Sequence, residues 1–158
     1  MFFKKTLAAA AVLVASFGFT NSSQAQDWTG AYFGGFGAAS FMPGGPYFSA
    51  GTIAGYDVQF GTVVLGVNFR ASQNFGLPSI NIEGGARVGF VLADNFLVYA
   101  NAALGAIGPV PGSPYYSFGG GVEMGITDTL HVFGEFRRSV IACCGTNMSV
   151  HFGVTLHN

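Results

Sequence analysis

Charge is what this chain most conspicuously lacks. Only 8% of its 158 residues are Asp, Glu, Lys or Arg, where a soluble domain carries about 25%. Both lysines, Lys4 and Lys5, fall in the first five residues, and the remaining basic residues are Arg70, Arg87, Arg137 and Arg138. Seven acids oppose these few cations, which excludes a nucleic-acid partner. Cysteine is confined to the adjacent pair Cys143 and Cys144. Without a Cys-x-x-Cys spacing there is no redox motif and no thiolate zinc site. Beyond the first 25 residues no run of about 18 apolar residues occurs, so no transmembrane helix is available. Yet half of the chain is hydrophobic, with 25 glycines and 17 phenylalanines. That composition excludes intrinsic disorder and a conventionally charged water-facing surface.

Met1–Ala25 reads as a secretory signal. Lys4 and Lys5 form a short positive region, Thr6–Phe19 an apolar run, and Ser23-Gln24-Ala25 a small-residue cleavage site. The run is too short to span a bilayer comfortably. Residues 26–158 are then the exported domain.

A chain this apolar without a membrane helix points to the other structure that satisfies its backbone in lipid, a closed β-barrel. The corresponding signature is alternating polarity over about ten residues between turns. Thr62–Ser72 sets Val63, Leu65, Val67 and Phe69 against Val64, Gly66, Asn68 and Arg70. Ser79–Leu92 sets Ile80, Ile82, Val88 and Phe90 against Asn81, Glu83 and Arg87. Tyr116–Ile126, Leu130–Val140 and Met148–Leu156 repeat the pattern, with Glu123, His131, Glu135, Arg137, Ser149 and His151 on the polar face. Phe96–Ile107 alternates more weakly. Thr29–Ser40 and Tyr47–Tyr56 are glycine-rich and aromatic, and their facing stays open. The reading is all-β: an eight-stranded antiparallel up-and-down transmembrane barrel, with about 17 residues per strand and connection.

Punctuation follows the same plan. All six prolines (Pro43, Pro46, Pro78, Pro109, Pro111 and Pro114) are expected between strands, since proline cannot donate to a ladder. The alternate connections are expected to carry Asp57, Asp94 and Asp128. Proline-bearing loops should lie outside and aspartate turns in the periplasm. Arg70, Glu83, Arg87, Glu123, Glu135 and Arg137 are too few to clothe a soluble exterior but suit a narrow lumen, where buried charges must pair. A connection centred near Gly76 and Leu77 sets Arg70 opposite Glu83, while Arg87 and Arg137 supply cations for Glu123 and Glu135. Trp28, Tyr56, Phe60 and Phe96 cluster near the aspartate connections and are expected to form an interfacial aromatic girdle.

The segments Asp27–Gly35, Ala54–Gly61 with Val64–Val67, Ala86–Phe90 with Phe96–Ala100, and Gly119–Glu123 with Gly134–Arg137 resemble, in order, the hairpins of small outer-membrane proteins of the porin and opacity-protein family. That resemblance implies an eight-stranded barrel, surface exposure, recognition by the barrel-assembly machinery, outer-membrane lipids as surroundings, and no shared catalytic activity. Family barrels usually end in an aromatic residue, whereas this chain ends Leu156-His157-Asn158. The expected function is structural, in envelope integrity and surface properties, with the lumen closed by its Arg/Glu network. A narrow porin for small solutes and a surface adhesin are the alternatives.

No enzyme or cofactor is expected. Ser149, His151 and Glu135 share a face but lack a nucleophile-elbow motif. Pairing of the last two strands brings His131 near His157, and two ligands without a third do not make a metal site. Nothing in the sequence sets the oligomeric state.

Overall fold

The computed structural model describes residues 26–42, 44–76, 79–108, 112–142 and 145–158. The leader Met1–Ala25, four of the prolines (Pro43, Pro78, Pro109 and Pro111), Cys143 and Cys144 lie outside the described residues. Eight strands follow one another: β1 Gly30–Met42, β2 Gly45–Phe60, β3 Val63–Asn74, β4 Ile80–Ala93, β5 Phe96–Ile107, β6 Ser113–Gly125, β7 Leu130–Ile141 and β8 Gly145–His157. Each pairs antiparallel with the next, and β1 pairs with β8 from Tyr32↔His157 to Phe41↔Met148, closing the barrel. Closure pairs the backbone all round and leaves no open sheet edge to lipid.

The alternation read from the sequence is the alternation of the wall. Val67, Leu92 and Leu104 are 61%, 68% and 73% exposed on the outside, while Val64, Arg70, Glu123 and Glu135 are buried inside. β1 and β2, whose facing the sequence left open, send Tyr32, Phe36, Ile53 and Asp57 inward and Phe33, Phe48, Tyr56 and Phe60 outward. Short turns at Gly61–Thr62, Asp94–Asn95 and Ile126–Thr129 define one end of the barrel, the turn end. The opposite ends of the strands define the other, the loop end.

Two expectations about connections are corrected. Pro46 and Pro114 lie inside β2 and β6, paired with Phe41 and Ala106. Each is the second residue of its strand, at the loop-end rim, where a missing ladder donor is tolerated. Asp57 is likewise not in a turn. β2 continues to Phe60, and Gly61, with φ of 62°, makes the reversal in the left-handed conformation that glycine adopts without strain.

Inside, aromatic rings lie over glycines directly across the ladder. Tyr32 faces Gly55, Tyr99 faces Gly121, Tyr115 faces Gly105 and Phe133 faces Gly153. A Cβ added to Gly153 would stand 2.6 Å from the Phe133 ring and 2.5 Å from the backbone carbonyl oxygen of Gly35. The missing side chain therefore lets each ring fold flat against the wall and fill a lumen too narrow for it otherwise. Gly153→Val should lower the unfolding free energy in urea by about 1–3 kcal/mol, the cost of an overpacked interior. Unchanged stability would show that the Phe133 ring and the neighbouring backbone both give way freely.

Candidate functional site: a closed lumen

The inward face of β2, β3, β4, β6 and β7 delivers the charged side chains to the barrel axis, in two storeys. In the storey nearer the loop end, Arg70 and Glu83 stand opposite in register but approach only to 3.8 Å. The guanidinium of Arg70 reaches instead across the lumen and donates twice to Glu135, Nη1 to Oε1 at 2.7 Å and Nη2 to Oε2 at 2.8 Å. Arg137 donates to Glu83 and to the Ser117 hydroxyl, and its Nε lies 3.4 Å from Glu135. Phenol hydroxyls complete the carboxylates: Tyr99 donates to Glu135 and Tyr115 to Glu83, each at 2.9 Å. Two guanidinium groups face two carboxylates here.

The storey nearer the turn end is built differently. Arg87 donates through Nε to Asp57 Oδ1 at 3.0 Å and through Nη2 to Oδ2, and through Nη1 to Glu123 Oε2 at 2.6 Å. Tyr32 and Tyr99 flank the guanidinium, with ring centroids 4.6 and 5.2 Å from its carbon. The other oxygen of Glu123 accepts from Thr155 at 3.0 Å and lies 2.9 Å from His157 Nε2. Asp57 was missed because it was assigned to a turn. Its signal was present: Ala54, Tyr56, Val58 and Phe60 alternate with Gly55, Asp57 and Gln59.

The six expected lumen residues, Arg70, Glu83, Arg87, Glu123, Glu135 and Arg137, are all brought together, with Asp57 as a seventh member. Guanidinium–carboxylate pairs of this geometry are the strong kind. In an eight-stranded barrel, whose interior is just wide enough for side chains, they bar the axis.

Trp28 corrects the expected girdle. Tyr56 and Phe60 face outward near the turn end and Phe96 shares that side of the wall, but Trp28 is fully buried. The chain enters across the turn-end mouth, held by Gln26 N–H to Asp94 O at 3.0 Å and Trp28 N–H to Gln59 Oε1 at 2.9 Å. The indole is thereby carried inside, against Val64, Leu97 and Tyr99, and edge-on to His131 with ring centroids 4.8 Å apart. It is a stopper for that mouth and takes no part in the lipid interface.

At the loop end the lumen widens into a polar recess of about 60 Å³, room for a few waters. Ser49, Ser72, Asn81, Ser149 and His151 are among its walls. Ser149 Oγ and His151 Nε2 lie 2.8 Å apart. Glu135 is engaged by Arg70, Arg137 and Tyr99, and His151 Nδ1 has no hydrogen-bond partner. The three residues share a face without forming a relay.

No family model and no curated protein matches the chain. Solved structures do resemble it. One is a de novo designed transmembrane β-barrel, with a TM-score of 0.60, 12% identity, and 84% of this chain and 99% of that chain covered. Another is Neisserial surface protein A (NspA), with a TM-score of 0.58, 17% identity, and 82% and 98% covered. Fold and apolar exterior together define the class: a small closed β-barrel of the transmembrane kind.

Proposed function

We propose that this chain is a structural outer-membrane protein that contributes to envelope integrity and surface properties and does not conduct solutes. On this reading Met1–Ala25 exports it, the barrel-assembly machinery inserts it, and outer-membrane lipids surround it. Tyr56, Phe60 and Phe96 anchor its turn end at the interface. The order of its hairpin motifs, which resembles that of the porin and opacity-protein barrels, supports this reading. One observation carries the reading: guanidinium–carboxylate pairs cross the lumen from wall to wall, from Arg70 to Glu135 and from Arg87 to Asp57 and Glu123. A path for solute would have to break several of them at once. The loops support the structural role over adhesion, because consecutive strands at the loop end are separated by only a few residues.

Planar-bilayer recording of the protein purified from membranes should show no steady single-channel conductance. Steady channels would replace the structural reading with that of a narrow porin. Fractionation should place the protein in the outer membrane, with a gel mobility that shifts on heating. A soluble periplasmic product would overturn the assignment.

A further inference from the structure

We propose that Glu123, His131 and His157 form a binding site for a zinc-class divalent transition-metal ion, just inside the turn-end mouth. β6, β7 and β8 each supply one ligand. Two imidazoles and a carboxylate are the donor set that such ions favour. Their ligand atoms all lie within 4.8 Å of one another. Glu123 Oε1 is 2.9 Å from His157 Nε2 and 3.3 Å from His131 Nδ1.

Two independent features point to a cation. The first is an unpartnered atom. His131 is fully buried, and its Nδ1, 3.3 Å from Glu123 Oε1, does not reach it in hydrogen-bond geometry. Buried polar atoms are seldom left so, because each forfeits its hydration without compensation. The second is charge. The loop-end storey balances two guanidinium groups with two carboxylates. The turn-end storey sets Asp57 and Glu123 against Arg87 alone among the described residues. Carboxylates outnumber guanidinium groups there by one, and the two imidazoles stand beside Glu123.

The surroundings are those of a supported site. Arg87 holds the far oxygen of Glu123, Oε2, at 2.6 Å. Partners that fix the far side of a ligand orient its near side toward a metal. The His131 and His157 rings stack with centroids 3.8 Å apart and planes within 15°. Convergence on one ion therefore asks the His157 ring, at the end of β8, to turn out of its stack between His131 and Tyr32.

Trp28 reports on the site. It is the sole tryptophan of the chain, with ring centroids 4.8 and 6.0 Å from those of His131 and His157. Protein purified from membranes in detergent and stripped with a chelator should take up one zinc ion per barrel in competition with a chromophoric chelator. One equivalent of copper(II) should quench most of its tryptophan fluorescence. His157→Asn, at the end of β8 and not in contact with Arg87, should leave the heat-shifted gel band intact and lower zinc affinity more than about tenfold. Glu123→Gln should do the same to affinity, and His151→Asn should leave both readouts as in the parent. Absence of stoichiometric zinc uptake by the parent protein would overturn the site. So would zinc affinity and copper quenching unchanged in His157→Asn, which would mark the binding as superficial. Conductance plays no part in either readout, so the structural role and the metal site stand or fall separately.

Discussion

Exchanging Arg87 for methionine should destabilise the barrel by about 3–5 kcal/mol, the penalty for breaking a buried ionic cluster from one side. Arg87 is the shared partner of Asp57 and Glu123, and all three are almost fully buried. Its removal strands two carboxylates in a narrow space between Tyr32 and Tyr99, where water cannot replace the lost donors. Most of the penalty is unpaired charge, not the net worth of the pairs. The triple exchange Arg87→Met, Asp57→Asn and Glu123→Gln should therefore recover much of the loss. Urea unfolding in detergent, followed by the heat-shifted gel band, measures both. Parent-like stability of Arg87→Met would show that the cluster contributes nothing to the closed interior.

Val67→Arg should destabilise the membrane-inserted protein by about 2–4 kcal/mol if Val67 sits at the bilayer midplane. Val67 is 61% exposed on the outer wall, in the body of β3, between Tyr56 and Ala86 of the neighbouring strands. An arginine there has no lumen partner within reach and faces lipid. Val63 lies on the same face at the turn-end edge of β3. Its exchange for arginine should cost only about 0–1 kcal/mol, because the side chain reaches the interface. This dependence on depth distinguishes a lipid-facing wall from a water-facing one. A negligible cost at both positions would place the outer wall in water.

Legibility in the sequence depended on contrast between the two faces of each strand. β3, β4, β6, β7 and β8 alternate apolar with polar residues, so strand, facing and lumen charges could all be read by parity. β5 was recovered with its ends as read, Phe96–Ile107. β1 and β2 carry aromatics and glycines on both sides. Tyr32, Phe36 and Ile53 point inward while Phe33 and Phe48 point outward, and a pattern without polarity has no readable direction. The same lack of contrast hid Trp28. An aromatic residue just before the first strand has the composition of an interfacial anchor, and only the path of the chain across the mouth turns it inward.

By itself the sequence determined the period-two wall, the order of the hairpins and the local opposition of Arg70 and Glu83. Each depends on residues close in the chain and on one alternation rule. Only the tertiary structure decided who pairs with whom. Arg70 passes over its ladder neighbour Glu83 for Glu135, 65 residues away. Arg87 gathers Asp57 and Glu123 from different strands, and Glu123 meets His131 and His157. Those contacts depend on the stagger with which the barrel closes and on which side chains meet at its axis, quantities that no local pattern encodes.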